Sequence, residues 1–162
     1  LDLHDIARAA RTFGLAGYRV VTPVAKQREM VSRILGHWVG GYGGRANRRR
    51  RSALELVASA ERLDDVVEEI EKHHGARPVV AVTTARSIDG RDLVEPEDLF
   101  LRPEVARRPV VLAFGTGWGL TREMIERADI CLQPIKGPGD YNHLSVRSAV
   151  SIYLARLFGR PA

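Results

Sequence analysis

Two short apolar runs in the last third of the chain each end in a glycine-rich loop, and this pairing restricts the fold more than any other feature. Val110 to Phe114 meets three glycines in five positions, Gly115, Gly117 and Gly119. After a helical stretch, Ile130 to Ile135 meets a second such loop, Lys136 to Asp140, and a final helix is expected from near Asn142. Two strands that end this way on one edge of a sheet make a pocket lined by backbone N–H and C=O groups. Glycine lets that backbone come close to a flat polar ligand such as an adenine nucleoside.

The preceding chain alternates strand with helix. Residues 2–13 place Leu3, Ile6, Ala7 and Ala10 at helical spacing, with Asp2 as N-cap and Gly14 as stop. Tyr18 to Thr22 reads as a buried strand ended by Pro23, and 26–38 resume a helical period through Met30, Ile34 and Trp38. Residues 39–52 break the pattern: four glycines around Tyr42, then five arginines, predict a mobile basic loop. Leu54 to Ala58 is a further candidate strand. Residues 63–74 predict an amphipathic helix capped by Gly75, and Pro78 to Thr83 a buried strand. A polar stretch, 84–108, holds a short helix around Glu95 to Leu101. The expected class is α/β, a mostly parallel sheet flanked by helices. A dinucleotide-binding oxidoreductase would carry its glycines after the first strand. Here they follow the late strands, which argues against that class and for a ligand pocket near the C-terminus.

At 162 residues the chain predicts one domain. It has no run of about 20 apolar residues and no signal-peptide pattern, so no membrane partner is expected. A single cysteine, Cys131, lies in an apolar run, which predicts a buried thiol and a reducing cytoplasm. The net charge of +5 is uneven. Residues 1–51 hold 11 Lys/Arg against 3 Asp/Glu, and residues 52–162 hold 14 against 17, so +8 faces −3. A local basic block points to a polyanion such as RNA; the other reading is a solvated arginine-rich surface.

The segments FGTGWGLT and LQPIKGPGDYNHLSVRSA are similar to the second and third motifs of the SPOUT superfamily, S-adenosylmethionine (SAM)-dependent RNA methyltransferases with a trefoil knot. The chain resembles most a small family of SAM-dependent RNA methyltransferases sometimes fused to a tRNA guanine methyltransferase domain. The resemblance covers nearly the whole chain and implies a C-terminal trefoil knot, a strand before Leu1, a homodimer packed through the terminal helix, and tRNA or rRNA as substrate. It places SAM across three loops: Thr83 and Thr84 up to Arg86; Phe114, Gly115, Thr116, Gly117 and Gly119; and Leu132, Pro134, Ile135 and Gly137. Leu144 and Val146 would cover the adenine. Two tight turns with no ligand are the structural alternative.

Residues 2–14 resemble the first motif of the SpoU branch, an arginine on a helix followed by Phe-Gly, here Arg8, Phe13 and Gly14. The resemblance gives Arg8 the role of positioning a ribose 2′-hydroxyl, by electrostatics rather than as a base, since guanidinium keeps its proton. A surface helix arginine is the alternative. The chain departs from that branch at Gly117, where the branch has Glu, and at His143-Leu144-Ser145, where it has Ser-Leu-Asn, so the methylated atom stays open. Asp140, His143, Ser145 and Arg147 gather with Asn142 at the mouth of the last helix. Asp140 or His143 is suited to accept a proton, and helix capping is the other role for Asp140 and Asn142. No metal-ligand spacing is present and none is needed. Tyr42, Arg45, Arg48, Arg49, Arg50 and Arg51 are the expected RNA contacts, through stacking and phosphate neutralisation, while Trp38 is expected in the core. The favoured function is ribose 2′-O-methylation of tRNA or rRNA. The alternatives are a base-nitrogen methyltransferase and a non-catalytic RNA-binding module; a small-molecule nucleotide enzyme fits the arginine block poorly.

Overall fold

The computed structural model describes residues 2–85, 88 and 90–159, with the side chains of 44 and 45 outside that description. Arg86, expected in the first cofactor loop, also lies outside it. The backbone groups into two compact units, Leu1–Glu69 and Ile70–Ala162.

In the first unit, α1 (Asp2–Thr12) buries Ile6, Ala7 and Ala10 along one face, and Asp2 belongs to the helix itself. Gly14 ends the run at φ +72°, a left-handed conformation that suits glycine. Strand β1 (Tyr18–Val21) leads to α2 (Ala25–Leu35), which unwinds into a wider π-type turn at Gly36–Gly40. Two short helices follow, α3 (Tyr42–Ala46) and α4 (Arg48–Leu54), before β2 (Val57–Ala60) pairs parallel with β1. Ala7, Val31, Ala53, Leu54 and Val57 form the core, with Tyr18, Val20, Leu35 and Trp38 packed on it.

Residues 39–52 are therefore helical, where glycine content predicted a loop. Arginine is a good helix former, and the Asn47 side chain caps α4 by accepting from the Arg50 N–H at 3.0 Å. Ala53 and Leu54 anchor the helix in the core. Leu54 closes α4, so the next strand starts three residues later than expected.

Helix α5 (Leu63–His74) has the predicted bounds. The second unit holds a four-stranded sheet of β3 (Val79–Val82), β4 (Leu93–Val94), β5 (Val110–Ala113) and β6 (Ile130–Leu132), in spatial order β4-β6-β3-β5. Every pairing in it is parallel. The last strand is thus inserted between two earlier ones. Strand β4, two residues long, has too little apolar pattern to be read from sequence. A 3₁₀ turn at Pro96–Leu101, α6 (Arg122–Arg127) and α7 (Val146–Phe158) complete the unit. Its core joins Val79, Ala81, Leu99, Ile130, Leu132 and Tyr153. Cys131 is buried and unpaired. No helix among the described residues is long and apolar enough to cross a membrane.

Helix α7 starts at Val146 rather than near Asn142, because Ser145 is its N-cap and its hydroxyl accepts from the Ser148 N–H at 3.3 Å. Val150, Tyr153 and Leu154, on the terminal helix expected to carry a homodimer, are buried within the chain. Arg156 clamps the helix to the 3₁₀ turn, with two bonds of 2.7 Å to Glu97 and one of 2.8 Å to Glu95.

Candidate functional site

Because β6, β3 and β5 are neighbours and run parallel, their carboxyl ends lie on one edge of the sheet. The three loops expected to hold the cofactor are the three loops that leave this edge. Thr83 is buried at the end of β3, where its N–H and hydroxyl both donate to the Ala113 carbonyl, at 3.1 and 3.2 Å. Thr84, half-buried, follows it.

After β5, Phe114 packs its ring edge-on against Tyr153, 5.8 Å between centroids. Its side chain belongs to the core, which leaves its backbone for a ligand. Gly115 is required by space: a Cβ there would overlap the Gly119 carbonyl carbon and the Leu120 nitrogen. The turn is closed by the Gly119 N–H bonding the Thr116 carbonyl at 3.1 Å. Gly117 sits at φ +56°, a left-handed conformation that side chains rarely adopt. Open space lies where Cβ atoms would stand at Gly117, Gly119 and Gly137, so these stretches of backbone are unshielded and accessible to a ligand.

After β6, Leu132 and Pro134 are buried and Ile135 half-buried. Leu132 therefore offers its backbone to a ligand. Tyr153 of α7 pins this loop by donating its hydroxyl to the Gln133 carbonyl at 2.7 Å. Burial pushes its pKa up to about 12, so it stays a neutral donor. Tyr153→Phe leaves that carbonyl without its partner. It is expected to cost about 1–3 kcal/mol in denaturant unfolding and to weaken SAM binding.

Beyond Gly137 the chain returns over the sheet edge. The Asn142 amide donates to the Ala85 carbonyl at 2.9 Å, tying the β6 loop to the β3 loop. This bond, rather than helix capping, is the role of Asn142. Asp140, Tyr141, His143 and Leu144 are exposed, with the rings of Tyr141 and His143 5.5 Å apart. Ser145 caps α7, and Val146 and Arg147 occupy its first turn, half-buried. Sequence reasoning overlooked Trp118, wholly exposed between Gly117 and Gly119; its place inside a glycine loop was the available signal.

The cleft of the amino-terminal unit lies between α1 and α4. It encloses about 450 Å³ and is lined by Arg8, Arg11, Thr12, Asn47, Arg49, Arg50, Ser52 and Ala53. The structure thus brings the motif arginine, Arg8, together with part of the arginine block. Arg11 was not singled out from sequence, although one helical turn from Arg8 is the same face. Arg50 is held by its guanidinium lying 4.6 Å above the Trp38 ring. His4 and His37 meet that ring edge-on at 5.7 and 5.2 Å. Arg51 points to its own helix, paired with Glu55 at 3.0 Å, while Arg48 and Tyr42 are exposed. The Arg45 side chain lies outside the described residues.

His4 has a buried Nδ1 with no hydrogen-bond partner among the described residues. Burial, then the Arg50 charge, lowers its pKa. The unfolded chain binds a proton here below about pH 6.5 while the folded chain resists it. Stability is therefore expected to fall as pH drops through 6.5 toward the folded value. His4→Phe is expected to flatten that decline in thermal unfolding at pH 5 to 7.

Among the described residues no group of His, Cys, Asp and Glu is placed to hold a metal. A family model described as SAM-dependent RNA methyltransferase matches residues 1–159. The chain belongs to the SAM-dependent RNA methyltransferase family. A protein of Aquifex aeolicus without an assigned activity is 41% identical over 99% of this chain and 77% of its own length. The tRNA (guanine-N(1)-)-methyltransferase of Oleidesulfovibrio alaskensis is 40% identical over 98% of this chain; the chain spans only 36% of that relative. Among solved structures, TrmJ from Z. mobilis ZM4 superposes with TM-score 0.64 at 18% identity, covering 99% of this chain and 64% of that one. That likeness bears out the α/β fold. The family's cofactor, SAM, suits the unshielded backbone at the sheet edge.

Proposed function

We propose that this methyltransferase-family chain transfers a methyl group from SAM to tRNA or rRNA, with a ribose 2′-hydroxyl as acceptor. The observation that carries the reading is the convergence of three loops, after β3, β5 and β6, on one edge of a parallel sheet. Bound SAM supplies an electrophilic sulfonium methyl, so the protein's task is alignment and proton removal. The backbone at Thr83, Thr84, Phe114 to Gly119, and Leu132 to Gly137 holds the cofactor, with Leu144 and Val146 over the adenine. Arg8 positions the acceptor with its charged fork. Asp140 or His143, both exposed at the edge, accepts the acceptor's proton. Arg147 and Ser145 support that segment from the first turn of α7, and Tyr42, Arg45 and Arg48 to Arg51 contact RNA.

The passage from β6 into α7 forms the trefoil knot in this reading, supported by β6 lying between β3 and β4. A homodimer forms through the outward side of α7. Ile152 is exposed there; Phe158, one turn beyond the buried Leu154, instead meets Phe100 of the 3₁₀ turn at 5.3 Å. A reducing cytoplasm suits the lone buried thiol.

A base nitrogen is the second acceptor, favoured by the name of the 40%-identical relative and by Gly117 and His143-Leu144-Ser145 departing from the SpoU pattern. Calorimetric titration with SAM, and with NAD as control, tests the pocket. Micromolar SAM binding (about −8 kcal/mol) with NAD silent supports an enzyme. A folded protein that binds RNA and not SAM is a non-catalytic RNA-binding module.

A further inference from the structure

We propose that the cleft between α1 and α4 is a dedicated site for two consecutive phosphodiesters of single-stranded RNA, with Arg11 as a ligand alongside Arg8, Arg49 and Arg50. This deepens the RNA reading above and rests on it for the identity of the strand.

The lining is unusual in what it offers. Its hydroxyls spend their protons on the backbone: Thr12 donates to the Arg8 carbonyl at 2.8 Å and Ser52 to the Arg49 carbonyl at 3.2 Å. The Asn47 carbonyl oxygen is taken by the Arg50 N–H, which leaves its NH₂. The uncommitted donors are that amide and four guanidiniums. Among the described residues no carboxylate forms an ion pair with Arg8, Arg11, Arg49 or Arg50. The cleft therefore selects an acceptor-only anion. No aromatic ring lines it, so a base gains no stacking there. A guanidinium fork matches two oxygens of one phosphate, and one phosphodiester has two non-bridging oxygens. Four forks exceed what a single phosphodiester can accept, and the adjacent one supplies the rest. Arg50, held on Trp38, loses little freedom on binding.

The test is the salt dependence of binding to an oligouridylate, read by fluorescence anisotropy, with inorganic pyrophosphate titrated separately. Each phosphate released from the contact lowers the log–log salt slope by about 0.7 on a single strand. Arg11→Gln with Arg49→Gln, which leaves Arg8 and Arg50 for one phosphate, is expected to flatten the slope by about 0.7 and to weaken pyrophosphate binding at least about tenfold. Arg33→Gln with Arg62→Gln, removing two exposed arginines paired with Glu29 and Asp65, controls for net charge and is expected to leave both nearly unchanged. An equal drop in the control, an unchanged slope, or polyglutamate bound as tightly as oligouridylate overturns the site. Calorimetry with SAM is run on each variant. Loss of SAM binding in the parent protein would contradict the enzyme reading and leave the phosphate site standing.

Discussion

Gly115→Ala is expected to lose SAM affinity by at least about tenfold in calorimetric titration, with only a modest fall in unfolding temperature. A Cβ at this position has nowhere to go: it meets the Gly119 carbonyl carbon and the Leu120 nitrogen. Overpacking of that kind costs about 1–3 kcal/mol when backbone must shift. The shift opens the turn that the Gly119–Thr116 bond closes, which spoils a backbone surface built for close approach. Gly36→Ala is the control, since open space surrounds that glycine, its φ is −56° and it lies outside the cofactor loops. Equal affinity in Gly115→Ala and the parent would remove the β5 loop from the site.

Arg8→Ala is expected to reduce turnover by about 10²–10³-fold, the scale for losing one aligned charge donor, with SAM affinity unchanged. Arg8 is exposed on α1 and lines the arginine cleft, so its loss leaves the core of that unit intact. Arg8→Lys keeps the charge and loses the fork, so recovery of only a small part of the rate is the signature of positioning. Single-turnover kinetics at saturating RNA separate this from weaker RNA binding. Unchanged turnover would end the role.

The β–glycine-loop pairing was legible because it is local. An apolar run followed by glycines at 115, 117 and 119 gives a strand and a turn without knowledge of the partner strand. The order β4-β6-β3-β5 was not legible, since nothing in Ile130 to Leu132 says that it inserts between β3 and β4. The helical state of 48–54 was hidden by the glycines before it. Its cause, Asn47 capping and Leu54 burial, needs the tertiary core to show itself. Ser145 read as chemistry because a serine before an apolar helix fits either role; the 3.3 Å bond to Ser148 gives it the cap. Arg11 was missed because only Arg8 matched a motif, whereas the cleft is defined by packing of α1 on α4.

The most direct measurement is transfer of an isotopically labelled methyl group from SAM to unmodified tRNA and rRNA, with digested nucleosides resolved by mass spectrometry. The account predicts label in a ribose-methylated nucleoside, formed more slowly by Arg8→Ala at any SAM concentration and by Gly115→Ala at limiting SAM. Label confined to a base would contradict the acceptor assignment, and no label with SAM bound and RNA bound would contradict the enzyme itself.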